Sequence, residues 1–392
     1  MSTQAIQNIT ILGPAHPFRG GIASFNERLA TELKFAGKQV KLLTYTTQYP
    51  SLIFPGKNQL TTDPAPENLD ITRTFSTINP LSWRSTVNLL KKEKPDLLIS
   101  RFWLPYTSLS TNYIHKKLKQ SKGIRQLSIV DNLIPHQHMP GDDWMINQFL
   151  QSIDHYICLS NGVLSDLKSK KNDAKATSIL HPIYDHYGES ISKDEAALQL
   201  DLDPNYNYLL FFGFIKQYKG LDLLLESLDP AFLKERKMKL LIAGDVYGSS
   251  KPYDDIIAKN NLGDYILFHK DYIPNEKIAA YFSLADLVVQ PYRTATQSGI
   301  SQIALHFEKP VLVTDVGSLA DFVADKKSGY VVPVEVGAIR NAIRDHFTNG
   351  DLALMTQHIQ KQKENFGWDK FVSQLLAFAE QISPSKSPSR ET

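Results

Sequence analysis

The 392-residue chain is predicted to fold as two doubly wound α/β domains. Three observations point there. Short apolar runs alternate with amphipathic stretches, the pattern of parallel strands joined by crossover helices. The alternation occurs twice, on either side of a polar segment at 182–206 that holds Pro182, Gly188 and Pro204. The length suits two domains at about 100–200 residues each.

In the N-terminal half the predicted strands are 9–12, 40–45, 96–100, 126–130 and 155–159. Amphipathic helices are expected at 23–35 and 85–90. In the C-terminal half the strands fall at 208–212, 239–243, 265–269, 287–290 and 310–314. Helices are expected at 220–228, 253–260, 275–283, 299–307 and 336–348. A final helix, 368–383, carries the apolar stripe Phe371, Leu375, Leu376 and Phe378. The Ser/Pro/Lys-rich tail 384–392 reads as disordered. The domains are therefore placed at 1–185, with the final helix added to it, and at 200–365.

Hydrophobic residues are 42% and charged residues 21% of the chain, a globular balance. The single cysteine, Cys158, excludes an internal disulfide. It sits in an apolar run, as a buried thiol does. No signal-peptide pattern or apolar run of membrane-spanning length is visible, so a cytoplasmic protein is expected. Residues 1–180 hold 21 Lys and Arg against 13 Asp and Glu, a net +8. Residues 181–392 hold 22 against 28, a net −6. Solvated helix faces account for such a bias, and so does peripheral contact with an anionic membrane surface. No aromatic-interleaved basic motif accompanies the charge, so no nucleic-acid partner is expected.

In open α/β sheets ligands bind beyond the carboxyl ends of strands, so the loops leaving strands hold the candidates. The first strand runs into a loop ending Arg19-Gly20-Gly21-Ile22 before a helix. Glycines let backbone approach a ligand there, and the helix start offers free N–H groups to an anion. An ordinary turn would look the same. The loop Gly213-Phe214-Ile215-Lys216-Gln217-Tyr218-Lys219-Gly220 places two ammonium groups beside glycines, suited to a diphosphate. The strand at 239–243 ends in Gly244-Asp245. The stretch Gln290 to Gln302 leads into a helix at Ser298, Gly299 and Ile300, with the Thr296 and Ser298 hydroxyls beside it. Its N–H groups can serve an N-cap or a phosphate. Asp131, His136 and His138 follow the strand at 126–130, where acid/base or orienting groups belong, though turn and core roles compete. HExxH, paired cysteines, GxSxG and GxxxxGK[ST] are absent, and so is a suitably placed DxD, so neither a metal nor a cofactor is expected.

Taken in order, Pro17 to Ile22, the Gly213…Lys216…Lys219-Gly220 loop, Ala243-Gly244-Asp245 and Pro310-Val311…Thr314-Asp315-Val316-Gly317 resemble the GT-B glycosyltransferases of family 4. The resemblance runs over roughly residues 8–380. It implies two Rossmann-like domains facing across a cleft. It also implies retaining, metal-independent transfer of a hexose from a UDP- or GDP-linked donor to a glycan or lipid-linked acceptor, by a monomer or weak dimer. Lys216 and Lys219, with Gly20, Gly21, Ser298, Gly299 and Ile300, would hold the donor diphosphate. Gly213, Gly244, Tyr272 and Gln302 would lie at the nucleoside, and Thr296 and Gln297 at the sugar. Asp131 falls where many relatives carry a histidine, and His136 lies in a Pro-His segment found in a subset of them. One departure is plain. The two glutamates usual before Pro310 are Ala295 and Ile303 here, leaving Thr296, Gln297 and Gln302 as the hydrogen-bonding side chains nearby. A weak or inactive sugar-nucleotide-binding protein and a sugar-nucleotide epimerase are the alternatives.

Overall fold

The computed structural model describes residues 5–49, 59–61, 64–119, 121, 123–135, 139–185, 187–295 and 298–383. The chain divides into two units, Met1–His181 with Trp368–Thr392, and Pro182–Gly367.

The first unit is built on a seven-stranded sheet. Its strands are β1 (Asn8–Leu12), β2 (Gln39–Thr47), β3 (Asp70–Ser76), β4 (Leu97–Phe102), β5 (Arg125–Val130), β6 (His155–Cys158) and β7 (Lys175–Ser178). They lie in the order β3-β2-β1-β4-β5-β6-β7, and each pairing is parallel. Helices α1 (Gly21–Phe35), α2 (Pro80–Glu93), α3 (Ser108–Leu118), α4 (Asp142–Ser152) and α5 (Asn161–Lys170) form the crossovers. Strands β4 and β5 are buried at every position, as central strands of a sheet covered on both faces must be.

The second unit opens with α6 (Lys193–Leu200), β8 (Asn207–Phe212), α7 (Leu221–Ser227), α8 (Pro230–Glu235) and β9 (Met238–Ala243). It continues through α9 (Lys251–Lys259), β10 (Ile266–His269), α10 (Asn275–Leu284), β11 (Leu287–Gln290) and α11 (Gly299–His306). It closes with β12 (Val311–Thr314), β13 (Gly329–Val332), α12 (Val336–Asn349) and α13 (Leu352–Lys363). The six strands pair in parallel in the order β10-β9-β8-β11-β12-β13. Each unit is thus doubly wound. The strand order reverses at β1/β4 in the first and at β8/β11 in the second, the positions where such sheets bind ligands.

The last helix, α14 (Trp368–Glu380), belongs to the first unit. Trp368, Phe371, Val372, Leu375 and Ala379 are buried in its core beside Phe25 and Leu29 of α1, with Leu376 and Phe378 packed at the margin. The guanidinium of Arg125, itself buried, donates from Nε to the Ile382 carbonyl at 3.0 Å and anchors the end of that helix.

Three strands were not predicted: β3, β7 and β13. All three are sheet edges, where one side of the ladder meets solvent and no continuous apolar run is needed. The polar segment at 182–206 is not an empty linker. Ala196 and Ala197 of α6 are fully buried in the second unit's core, and the Ile183 N–H donates to the Phe366 carbonyl at 3.0 Å. The second unit therefore begins at Pro182 and not at residue 200. The tail 384–392 lies outside the described residues.

Cys158 is fully buried, and burial pushes its thiol up to about 12, which removes it as a nucleophile. His115 is also fully buried. Its Nδ1–H donates to Gln126 Oε1 at 2.7 Å, and the Ser100 hydroxyl donates to Nε2 at 2.8 Å. Burial, with the Lys119 charge adding to it, lowers its pKa from 6.5 to about 4. The unfolded chain takes up a proton below pH 6.5 while the native ring stays neutral, so this contribution is present above that pH and is lost on acidification toward pH 4. The difference amounts to about 3 kcal/mol. Unfolding free energies measured between pH 4 and pH 7 are expected to rise more steeply for the wild type than for His115→Gln. Equal slopes would show that another group governs the acid limb.

Candidate functional site

The second unit's site is built where β8 and β11 end. Beyond Phe212 the chain turns at Gly213, whose φ is +99°, and its N–H donates to the Ala243 carbonyl at 2.9 Å. The Ile215 N–H reaches the Asp245 carbonyl at 2.9 Å, and the Tyr247 N–H returns to the Ile215 carbonyl at 3.1 Å. The loops after β8 and β9 are thereby zipped together. Gly244 is part of that closure. At φ +145°, a Cβ there would stand 2.2 Å from the Gly213 carbonyl oxygen.

The β8 loop closes in a short 3₁₀ turn, Gln217–Lys219, and ends at Gly220 with φ +69°. A Cβ on Gly220 would lie 1.9 Å from the Pro291 carbonyl oxygen, so only glycine lets the turn rest on the β11 loop. Arg293 locks this contact. Its N–H donates to the Tyr218 carbonyl at 2.7 Å, and its guanidinium grips both carboxylate oxygens of Asp222 at 2.7 Å each. Sequence reasoning missed Arg293, although it lies within the stretch singled out.

Helix α11 starts beside the same turn. Ser298 caps it, its hydroxyl accepting from the Ile300 N–H at 3.2 Å. The Tyr292 hydroxyl stands 3.5 Å from Ser298 Oγ. A Cβ on Gly299 would meet the Tyr184 ring at 2.9 Å, which explains a glycine at that helix start. The missing Cβ of Gly213 marks the meeting point of the set, 3.4 Å from both Lys219 Nζ and Ile300 Cδ1. Lys219, Gly213 and Ile300 are thus one cluster, with Ser298 and Gly299 at its rim.

Neither lysine ammonium has a carboxylate partner among the described residues. Lys216 Nζ stands over the Tyr247 ring at 4.7 Å and Lys219 Nζ over the Tyr292 ring at 5.1 Å. Burial lowers both pKa values, and the charge of Lys219 lowers that of Lys216 further. The charged forms are short of stabilisation, as they are in a site made for an anion.

The positions of the expected glutamates are apolar in structure as well as in sequence. Ile303 is buried in the core and Ala295 packs against it. Gln302 is 1% exposed, and neither amide atom has a hydrogen-bond partner among the described residues. Tyr272 is 41% exposed between β10 and α10. Thr296 and Gln297 lie outside the described residues.

In the first unit, Gly20 (φ +114°) precedes α1, and no side chain caps that helix start. Asp131 follows β5, and a residue not predicted claims its carboxylate. Arg101, next to last in β4, donates from Nε and Nη2 to its two oxygens at 2.6 and 2.5 Å. That guanidinium is buried, lies 3.7 Å from the Phe25 ring centroid and reaches Asn26 Oδ1 at 3.3 Å. Asn26 Nδ2 in turn donates to the Pro14 carbonyl at 2.8 Å. Of the roles open to Asp131, a fixed orienting anion fits this bidentate grip better than a proton-transfer base. A charge closing the apolar strand 97–102 was the signal for Arg101. His136 and His138 lie outside the described residues. Several basic residues of this half are partnered, Lys119 and Lys171 with Asp154 and Lys170 with Asp143.

Among the described residues, no three His, Cys, Asp or Glu side chains gather to hold a metal ion. No described helix is long and apolar enough to cross a membrane.

Residues 206–349 match the family described as glycosyl transferases group 1. The chain is 29% identical over 195 residues to a D-inositol 3-phosphate glycosyltransferase of Gordonia bronchialis, covering 47% of this chain and 42% of that protein. It thus spans less than half the length of that relative. It is 22% identical over 377 residues to an uncharacterized glycosyltransferase of Methanocaldococcus jannaschii, covering 94% of this chain and 96% of the other. Among solved structures it resembles HepE of Anabaena in complex with UDP, with a TM-score of 0.72 at 12% identity over 96% of this chain and all of that one.

The Gly220 contact gives a direct test of the site's frame. Gly220→Ala is expected to destabilise the fold by about 2 kcal/mol or more, since the methyl must displace the Pro291 carbonyl and adopt positive φ. A denaturation midpoint equal to the wild type's would show that the two loops are not in contact.

Proposed function

We propose that this chain, a GT-B protein whose residues 206–349 belong to the glycosyl transferases group 1, moves a hexose from a nucleoside-diphosphate donor to a glycan or lipid-linked acceptor with retention. The observation that carries the reading is the pair of lysine ammonium groups without carboxylate partners among the described residues, one of them in the Gly213–Ile300 cluster beside the α11 N-terminus. Such a set stabilises the negative charge that develops on a departing diphosphate, with lysine charge and backbone N–H groups in the place of a metal ion. No other cofactor enters this reading.

In this reading Lys216, Lys219 and the backbone of Ser298, Gly299 and Ile300 hold the diphosphate. Gly213, Gly244, Tyr272 and Gln302 receive the nucleoside, and Thr296 and Gln297 the sugar. Gln302, buried with both amide atoms unpaired among the described residues, has a donor and an acceptor to offer. UDP in the HepE complex supports a nucleotide donor on this fold. For the first unit the reading assigns roles to Gly20, Gly21 and His136, and to Asp131 as an anion oriented by Arg101. A second reading, donor binding without turnover, is favoured by one observation: Ile303 is built into the core at the position where the family resemblance leads one to expect a glutamate.

Calorimetry against a panel of UDP- and GDP-sugars, followed by product analysis, separates these readings. Wild-type binding is expected to weaken about tenfold or more in Lys219→Ala, the size of a lost charge-assisted contact. Binding with no transfer or hydrolysis of any donor would leave the second reading. Binding of none of them would remove both.

The acceptor side is proposed to work at the cytoplasmic face of an anionic membrane. Support comes from the net +8 of residues 1–180 and from Met139 and Trp144, exposed at the start of α4. Co-sedimentation with phosphatidylserine vesicles is expected to fall as salt rises. Equal binding to phosphatidylcholine vesicles would overturn the proposal.

A further inference from the structure

Three other lysines of the second unit are held by acids, Lys193 by Asp286, Lys251 by Asp255 and Lys270 by Asp254, while Lys239 stands over the Tyr206 ring at 4.9 Å. Lys216 and Lys219 have no acid partner among the described residues. Each ammonium is seated on the face of a tyrosine, Lys216 on Tyr247 and Lys219 on Tyr292.

Tyr247 is tied by its backbone to Ile215, packs edge-to-face on Phe214 with centroids 5.1 Å apart, and adjoins a bridge between Ile215 and Val246. Tyr292 is buried. Its carbonyl accepts from the Thr314 hydroxyl at 2.5 Å, and its hydroxyl stands 3.5 Å from Ser298 Oγ at the α11 cap. One ring thus touches both the Lys219 side chain and the helix start, while the other fixes Lys216 from the β9 loop.

We propose that Tyr247 and Tyr292 are positioning residues for a nucleoside diphosphate, holding the two lysine ammonium groups by their ring faces. The inference rests on the donor site proposed above and gives a role to two residues to which the sequence reading gave none. The physical reason is competition. A carboxylate beside either lysine would neutralise its charge, occupy its N–H donors and have to be displaced by the incoming phosphate. A ring face attracts the ammonium through its quadrupole and leaves the net charge and the N–H donors available to phosphate oxygens. Because the ring also fixes the side chain before the ligand arrives, less conformational freedom is lost on binding. Burial already lowers both lysine pKa values, so the rings supply part of the stabilisation that solvent no longer gives.

The experiment is a double-mutant cycle read by calorimetry with UDP and GDP as probes. Tyr247→Phe keeps the face and is expected to bind within about twofold of the wild type, while Tyr247→Leu weakens binding about fivefold or more. In a Lys216→Ala background the Leu substitution is expected to have no further effect, because the ring acts through that ammonium. Tyr292→Phe and Tyr292→Leu repeat the comparison for Lys219. Tyr292 is buried, so the partly exposed Tyr247 pair keeps the test decisive if the Tyr292→Leu protein does not fold.

Three results overturn the inference while leaving the donor site standing: a folded Tyr247→Leu protein that binds like the wild type, a Phe variant as weak as the Leu variant, or additive effects in the cycle. A wild type that binds neither nucleotide removes the donor site and this inference together.

Discussion

A carbonyl oxygen and a missing methyl group organise the second unit. The turn at Gly220 rests on the Pro291 carbonyl so closely that no other residue fits, and this contact sets the β8 loop against the β11 loop. The rest of the site depends on it. Arg293 reinforces the contact through Asp222 and the Tyr218 carbonyl. Tyr292 then seats Lys219, and the same stretch of chain delivers Ser298 to the start of α11. Because β8 and β11 are neighbours at the reversal of strand order, the two loops diverge onto opposite faces of the sheet and leave room between them. Glycines at 213, 220 and 244 are the means of closing that space with backbone alone.

The two units treat buried charge in opposite ways. In the first, Arg101 is fully compensated. Asp131 takes two of its donors, Asn26 a third, and Phe25 covers its face. Such an ion pair maintains geometry, because removing either partner leaves an uncompensated charge in a dry place. It joins the ends of β4 and β5 and, through Asn26 and Pro14, the end of β1. In the second unit Lys216 and Lys219 stay uncompensated by any described carboxylate, at a cost in stability that a bound anion would remove. Compensated charge makes a frame, and the uncompensated lysine pair, unlike the Asp131 pair, leaves charge free for the anion proposed above.

The apolar residues at 295 and 303 are a consequence of packing as well as of chemistry. Ile303 contributes to the same core as Phe282, Phe307 and Val313. A carboxylate at 303 would need either a different helix rotation or a ligand to pair with it. Of the polar side chains on this helix, Ser301 pairs with Gln290 and His306 with the Gly188 carbonyl, Ser298 caps the start, and the buried Gln302 amide has no partner among the described residues.

The sequence by itself determined the fold class, because strands covered on both faces must be written as apolar runs, and helices between them as amphipathic stretches. It also determined where the loops of interest lie, since glycines and lysines next to strand ends are visible without coordinates. Edge strands β3, β7 and β13 and the core helix α6 escaped it. Half-solvated edges and alanine-rich packing leave weak periodic signals. Only the tertiary structure decided who partners whom. Arg101 and Asp131 are 30 residues apart. Tyr247 and Lys216 meet only because the β8 and β9 loops are hydrogen-bonded together, and Lys219 finds Tyr292 only across the Gly220 contact. A side chain's chemistry is local, but the charge or ring that tunes it is chosen by strand order, which becomes legible only when the sheet is assembled.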